Sequence, residues 1–581
     1  MTSTAPITNS KRLLVYGVAC ATFLILFLFH IYPIGLSDAY WHLNTGRWIW
    51  EHGALPDNDP FTYTLGDTLD TRQQLILQGY WLAQLLFYVA YALFGPWGLI
   101  VLKAALFVTL YGLVWRGMLK AQVDPILGLL AILALPWLLY RYDELRPQIF
   151  SFIGVVLVYM NMSSALARLR DGIAYPAALI ALPFIMLLWA NLHGGFILGW
   201  VVIIVMLAGA ALGLWRRTNS LDRPSLRRLF IWCGIALLAS LANPLSDTLI
   251  ANLGLLQDPF TREIDEFFPL FVYARVYHQP FLFYGVLAIA LISVAVLFLR
   301  RRITEPADAF LFLGFAAAGF SAFRYMIFFV LMALLIIMPH ISALLARYQE
   351  KLRPLLLASL FVALSGAGYL TYQHGAWKLG AVETTYVPEQ AADWILDKRP
   401  PAPLFNAYEY GGYLGWRLTP EYRLFIDPRC LDYGVQTDYQ TARGGHYRAV
   451  FEKYGVNSVV FYLFTPLINS IPEVTLYLLM DEQWDMVYVD KLSVVLTRHK
   501  LNTLPVIDKA PLINYLQRVL ERTLATIPDD TQALVQYGRV LLYRGNVAGA
   551  KQYFSAALKI NPRIRSARFY LEEIKRNQPG L

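Results

Sequence analysis

An acidic residue, two histidines and several arginines stand at the ends of apolar runs in a 581-residue chain that is 57% hydrophobic. The acid is Asp38, in "LSDAYWHLNTGRWIWEHGALPDNDPF" (residues 36–61), with Trp41 and His42 one helical turn further on. At that spacing a carboxylate and an imidazole share a helix face, where they can take a proton from an incoming nucleophile, bind its neighbours or hold a metal ion. The plainer reading makes Ser37 or Asp38 the N-cap of a helix running to about Glu51. Arg146 precedes Pro147 in "RYDELRPQ" (141–148), and Arg324 ends "SAFR" (321–324) after a hairpin too short to be a solvated loop. Ionisable groups at membrane depth are costly, which makes each a functional candidate. A guanidinium offers a permanent charge and a planar fork suited to phosphate; each arginine alone is equally able to snorkel or to pair with Asp143, Glu144, Glu263, Asp265 or Glu266. His193, in "WANLHGGFILGW" (189–200), either caps a tight helix break or hydrogen-bonds a phosphate or sugar hydroxyl, since Gly194 and Gly195 permit close backbone approach.

The elements that must position these groups are membrane helices. Only 15% of residues are charged and the mean hydropathy is +0.46, outside the usual range for a soluble enzyme of this length. In such a chain the net charge of +9 marks the loops that stay in the cytoplasm and speaks against nucleic acid as a partner. Of three cysteines, Cys20 and Cys233 lie in apolar runs and Cys430 stands alone, so neither a disulfide framework nor a cysteine metal site is expected. Leu13 to Gly35 follows Lys11 and Arg12 without a small-x-small cleavage pattern and reads as an uncleaved anchor. Ten further apolar segments, from Trp97 to Tyr372, bring the expected spans to about eleven. Tyr80 to Phe94 is short; laid along the interface, it leaves the clusters Arg116/Lys120, Arg168/Arg170, Arg216/Arg217/Arg223/Arg227/Arg228, Arg300/Arg301/Arg302 and Arg347/Lys351/Arg353 on the side of Lys11 and Arg12. That parity gathers Asp38, Arg146, His193, Arg324 and the tail after Tyr372 on one extracytoplasmic face. A multi-pass protein of a bacterial inner membrane, with a cytoplasmic N-terminus, is expected.

Three domains follow: a transmembrane module over 1–371 whose first extracytoplasmic loop is 36–96, a small α/β domain over 372–505, and a helical domain over 506–581. The α/β reading rests on short β-like runs, "NSVVFYLF" and "LSVVLTR", between helical patterns. Counted from Thr531, Gly538, Ala550, Phe554, Ala557 and Pro562 fall where a tetratricopeptide repeat needs small, aromatic and helix-ending residues. Such a repeat serves contact with a protein partner or acceptor, or packs as a cap.

The first loop, "SDAYWHLNTGRWIWEHGALPDNDPFTY", resembles that of the GT-C membrane glycosyltransferases, especially the bacterial branch related to the catalytic subunit of oligosaccharyltransferase. A second likeness is "LFNAYEYGGYLGWRLTPEYRLFIDPRCLDYG", which resembles the region opening the soluble domain of oligosaccharyltransferases, where the acceptor peptide is read. Glu409, Tyr410 and Gly411 correspond there, while the paired tryptophans of that region are absent. A GT-C half joined to a tetratricopeptide repeat is also similar in architecture to transmembrane protein O-mannosyltransferases. The resemblance implies inverting transfer of a sugar from a polyprenyl-phosphate-linked donor to an acceptor, with Asp38 catalytic and His42, Arg146, His193, Arg324, Glu409 and Tyr410 binding donor phosphate or substrate. A divalent cation, Mg or Mn, is left open, with Asp38, Asp265 and Glu266 as its candidate ligands.

Two other classes stay in view. A flippase for lipid-linked glycans would place polar groups at the membrane midplane and show broken helices or inverted repeats, which the sequence lacks. A non-catalytic scaffold would use the repeat alone. The parity argument is tested by reporter fusions: a fusion at Asn219 should report the cytoplasm and one at the C-terminus the opposite side. A cytoplasmic C-terminus would break the shared face.

Overall fold

In a hydrocarbon environment a backbone N–H or C=O has no water to bond, so each long apolar run must close its hydrogen bonds within a helix. The computed structural model describes residues 9–35, 38–139, 142–216, 221–248, 264–300, 306–375, 377, 380–383, 386–464 and 471–577. Ser37, Arg141, Asn219 and Glu263, and part of the loop that follows "NPLSD", lie outside them. The described chain divides into two units, Met1–Asn58 with Asp67–Glu383 and Asp59–Gly66 with Thr384–Leu581.

The first unit is helical. Among the described residues, six of its helices are long and apolar enough to cross a membrane: Thr71–Lys120, Gln148–Arg170, Gly194–Trp215, Pro280–Leu299, Phe323–Tyr348 and Lys351–His374. Four shorter apolar helices, Leu13–Phe29, Pro125–Leu139, Ala177–Leu192 and Pro306–Ser321, accompany them. The apolar run from Leu229 forms the helix Arg223–Ala239, whose N-cap Asp222 accepts from the Ser225 N–H and whose first turns carry Arg223, Arg227 and Arg228.

Two short elements and a bend come between the first apolar helix and the stretch Trp97 to Lys120. Ala39–His52 is helical and ends on Gly53, in the left-handed region at φ 63°. Thr71–Gln78 is opened by a reciprocal capping box, in which the Asp70 carboxylate takes the Gln73 N–H and the Gln73 side chain takes the Asp70 N–H. The segment Tyr80 to Phe94 continues into Trp97 to Lys120, broken at Gly95 (φ 59°, ψ −152°) and Pro96. A conformation that side chains avoid, followed by a residue without an N–H, separates the two stretches.

The second unit carries the sheet. Its four strands, β1 (Leu404–Asn406), β2 (Ser458–Tyr462), β3 (Trp484–Val489) and β4 (Ser493–Arg498), take the order β1-β2-β4-β3. β1 runs parallel to β2, and the other pairs are antiparallel. Phe405, Phe425, Phe451 and Phe461 pack ring against ring in its core. C-terminal to it, Thr531–Tyr543 and Val547–Ile560 form a helical hairpin with Phe554 buried in its centre. A Cβ on Gly538 would stand 2.8 Å from the Phe554 ring, which is why a residue without one lies there. The hairpin is flanked by Ala510–Thr526 and Arg565–Asn577 and docks on the sheet domain through Gln536, whose amide donates to the Ile471 carbonyl at 2.7 Å, and Arg539, over the Tyr477 ring at 3.2 Å.

Eight residues read in sequence as first loop, Asp59–Gly66, belong to this second unit. Tyr63 N donates to Leu424 O at 3.0 Å, and Leu424 N to Phe61 O at 2.9 Å. Arg429, wholly buried, bonds Asp59 through Nη1 at 2.7 Å and Nη2 at 3.1 Å, and Asp427 through Nη2 at 2.6 Å. Asp59, 1% exposed at the side chain, also takes the N–H of Phe61 and Thr62. Charges this deep hold only as a fully bonded set, and removing one partner leaves the others buried and unpaired. Arg429→Met is therefore expected to destabilise the second unit by about 3–5 kcal/mol, read as a lower denaturation midpoint of the detergent-solubilised protein. An unchanged midpoint would show that the cluster holds nothing together.

Candidate functional site

Every side chain of the site described first comes from the first unit. The chain leaves the first apolar helix at Phe29, and Ile34 then pairs as an isolated bridge with Val382, its N–H bonded to Ala381 O at 3.0 Å and its carbonyl to the Glu383 N–H at 2.9 Å. That bridge fixes the approach to Asp38, the residue before the helix Ala39–His52. The Asp38 carboxylate makes no cap hydrogen bond. It lies instead 3.1 Å from Arg146 Nε, so the simple cap reading of this acid does not describe its side chain.

Arg146 binds three carboxylates. Besides Asp38, its Nη2 lies 2.7 Å from Glu144 Oε2 and its Nη1 donates to Glu266 Oε1 at 2.6 Å. Glu266 offers its other oxygen to Arg324 Nη1 at 2.9 Å, and the Arg324 guanidinium sits 5.2 Å above the Phe267 ring. These five charged side chains, each between about a quarter and a half exposed, form one continuous network open to solvent. The pairing expected as an alternative for each arginine is thus real, and it links both arginines to Asp38.

The segments bearing these groups are stitched together just behind them. The Tyr142 hydroxyl donates to Phe323 O, next to Arg324, and Phe323 N donates to Phe268 O at 2.9 Å, two residues past Glu266. Tyr142 stacks on Phe323 with centroids 4.8 Å apart, and Phe323 on Tyr273 at 3.7 Å. The stacked rings exclude water from the backbone bonds and keep the two arginines at a set separation.

His193 closes the break between Ala177–Leu192 and Ile197–Trp215. Its Nδ1 accepts from Gly195 N at 3.0 Å and lies 2.7 Å from Ser151 Oγ, which in turn accepts from Trp189 Nε1 at 2.9 Å. A Cβ on Gly195 would stand 2.3 Å from Ser151 Oγ, so this approach needs glycine. With Nδ1 accepting, the neutral imidazole carries its proton on Nε2. Burial first, then the nearby charge of Arg324, push its pKa down to about 3. The ring stacks on Tyr80 at 5.3 Å. Tyr80 also feels the charges of Arg324, Arg72 and Asp38, which brings His193 and Arg72 into the neighbourhood of the network. Arg72 and Glu144 escaped the sequence reading as site residues; "TRQQLILQ" behind its capping box was the available signal for Arg72.

His42 meets the same Tyr80 ring as His193, edge to face at 5.8 Å. His42 is buried against the helix Trp81–Lys120, its Nδ1 3.3 Å from the Gln84 amide and its ring against Trp41 and Phe87. Glu409 and Tyr410 belong to the second unit. Tyr410 is a core residue there, donating to Leu492 O at 3.2 Å, and burial raises its pKa; Glu409 lies in the electrostatic reach of Arg443, Tyr439 and Tyr462.

Asp38, Asp265 and Glu266 as arranged do not fit a divalent cation. Asp38 and Glu266 are paired with arginine, and Asp265 accepts a hydrogen bond from Tyr277, 12 residues on. An ion joining the three would have to displace those arginines. Among the described residues no group of three His, Cys, Asp or Glu side chains is placed to hold a metal ion.

No protein-family model and no curated protein matches this chain. Solved structures do. The oligosaccharyltransferase of Archaeoglobus fulgidus, tethered to an acceptor peptide containing the NVT sequon, aligns with TM-score 0.52 at 14% identity over 78% of this chain and 69% of that one. Its apo form aligns with TM-score 0.51 at 14% identity, over 79% and 70%. ArnT from Cupriavidus metallidurans in the apo state aligns with TM-score 0.49 at 15% identity, over 83% and 97%. The chain therefore shares the fold of the archaeal oligosaccharyltransferase, and with its apolar helices it is a multi-pass membrane protein.

The neutral His193 has a measurable signature. Its folded pKa lies below that of the unfolded chain, so the unfolded state takes up a proton the folded state refuses, and stability should fall as pH drops from about 6.5 towards about 3. Melting wild type and His193→Gln in detergent across this range should show a shallower acid slope in the variant. Equal slopes would rule out the neutral, accepting imidazole.

Proposed function

We propose that this protein is a membrane glycosyltransferase that moves a sugar from a polyprenyl-phosphate-linked donor to a protein or cell-envelope glycan acceptor on the extracytoplasmic face. The observation that carries the reading is the placement of Asp38, directly past the first apolar helix, with its carboxylate 3.1 Å from Arg146 and joined through Arg146 and Glu266 to Arg324. Such a site pairs a proton acceptor with fixed positive charge beside a membrane helix bundle. The solved structure sharing this fold is an oligosaccharyltransferase holding an acceptor peptide, which supports glycosyl transfer as the reaction class.

The chemistry follows from the groups. An acceptor O–H or N–H attacks the anomeric carbon while the bond from that carbon to the phosphate oxygen breaks, and the phosphate leaves with the bonding electrons. Attack opposite the leaving group inverts the centre. Asp38 receives the acceptor proton, and Arg146 aims its carboxylate. Negative charge grows on the leaving phosphate, where preorganised donors lower the barrier most. Arg324 gives one of its two terminal nitrogens to Glu266, leaving further N–H groups of its fork for phosphate. His193 adds a neutral Nε2–H donor, and Arg72 a second positive charge in the same neighbourhood. The mechanism routes no step through a metal ion.

The orientation with a cytoplasmic N-terminus, the bacterial inner membrane as location, the Tyr80 to Phe94 stretch as interfacial helix, and a tetratricopeptide-like role for the C-terminal hairpin in contacting a protein partner belong to the same reading. They are supported by charge parity and residue pattern.

In a membrane assay with a panel of polyprenyl-phosphate sugars, Asp38→Asn should lower transfer by about 10²–10⁴-fold, the usual worth of a positioned base. Arg324→Ala should raise the donor KM at least tenfold, by analogy with losing one charged hydrogen bond of about 1.5–3 kcal/mol. Equal transfer by wild type and Asp38→Asn would sink the catalytic assignment.

A further inference from the structure

Five polar side chains stand behind the site and take no part in the mechanism above. His30 and Tyr32 follow the first apolar helix, Lys103 and Tyr111 come from Trp81–Lys120, and Asp143 lies next to Glu144. His30, Lys103, Tyr111 and Asp143 are at most 5% exposed. His30 Nδ1 lies 2.5 Å from Asp143 Oδ1, and its Nε2 lies 3.0 Å from the Tyr111 hydroxyl. The His30 ring stacks on Phe107 at 4.5 Å. The Tyr32 hydroxyl donates to the Asp143 backbone carbonyl, and Lys103 Nζ sits 3.1 Å from the centroid of the Tyr32 ring. The Lys103 charge acts on both Asp143 and Glu144.

Burying such a set is expensive, and an apolar replacement of similar volume is often as stable or more so. Stability alone is a poor reason to keep it here. Its placement offers another. Residues 143–146 form neither helix nor strand; Arg146 N donates to Glu144 O at 3.0 Å and Arg146 O accepts from Ile149 N at 3.2 Å, which ties Arg146 to the following helix but leaves the segment without a ladder of backbone bonds to another part of the chain. Its bonds to other parts of the chain are a set of tethers: Tyr142 to Phe323 O on one side, and Tyr32 and His30 on Asp143 on the other.

We propose that His30 and Asp143 are positioning residues that fix the 143–146 segment and so hold Arg146 where it can orient Asp38. Tyr32 acts on the main chain and His30 on the side chain of Asp143, one residue before Glu144 and three before Arg146. A shift there moves the guanidinium relative to Asp38 and Glu266, and displacements of about 1 Å at a reacting group are worth about 100-fold in rate. The kinetic consequence rests on the glycosyl-transfer reading, whereas the geometric one does not.

The test uses the full-length protein in detergent and a readout independent of turnover. Modification of Arg146 by p-hydroxyphenylglyoxal, followed by peptide mass, reports how firmly its carboxylate partners hold the guanidinium. His30→Phe and Asp143→Asn should speed Arg146 labelling about tenfold, the loss of one charged hydrogen bond. Tyr32→Phe, which removes only a hydroxyl and keeps the fold safe, should speed it a few fold. His30→Gln, which keeps a donor, should return the rate towards wild type, and Arg324 labelling should stay constant throughout. With an active donor in hand, the same variants should lower kcat about tenfold and leave the donor KM unchanged, unlike Arg324→Ala. Arg146 labelling that does not change in any variant overturns the proposal, as does equal acceleration at Arg146 and Arg324, which would mean general loosening. If wild type transfers no sugar from any donor, the function reading fails, and the labelling rates still decide this one.

Discussion

Arg146 is the contact on which the rest of the site depends. Asp38, Glu144 and Glu266 come from three separate parts of the chain, and without a cation among them their like charges would drive the segments apart. A guanidinium suits the place because its fork presents donors in several directions in one plane, so one side chain can face three carboxylates. An ammonium would offer the same charge without that geometry. Arg324, anchored to the second oxygen of Glu266, extends the network towards His193 and Tyr80.

Two opposite uses of buried charge meet in this molecule. In the second unit, Arg429 is sealed between Asp59 and Asp427 with every lone pair committed, an arrangement suited to holding a strand-like segment of the first loop in place. In the first unit, the Arg146 and Arg324 network is partly exposed and offers N–H donors to solvent, as a binding site must. The His30 and Asp143 pair is sealed like the former and adjoins the latter. That adjacency distinguishes it from an ordinary polar hole in a helix bundle.

Much of the helical architecture was legible from composition, because a long apolar run satisfies its own backbone in hydrocarbon by closing into a helix. The turn signals were also readable: Gly95-Pro96 marks the break after Phe94, and Asp70 with Gln73 marks the start of a short helix. Asp38, Arg146, Arg324 and His193 were nominated by type and position, and they do gather in one unit. His42, nominated in the same way, lies in that unit against Tyr80, and Glu409 and Tyr410 belong to the other unit. For His42 the reason is that Asp38 turns off the helix to Arg146, while the residue four on faces the packed side against Gln84 and Phe87. For Glu409 and Tyr410 the reason is that a motif carries its local pattern but not the surroundings that use it.

By itself, the sequence determined what is set within a few residues: helix-forming runs, caps, breaks, and which ionisable groups sit at the ends of apolar segments. Those properties depend on short-range sterics, solvation and charge, which neighbours in sequence specify. Only the tertiary structure decided that Asp38 turns away from its own helix to meet Arg146, that Glu266 bridges two arginines, that Arg72 belongs nearby, and that residues 59–66 are held by Arg429. These pairings join positions tens to hundreds of residues apart, and Coulomb attraction does not choose among the chain's many acids until packing has brought particular ones within reach.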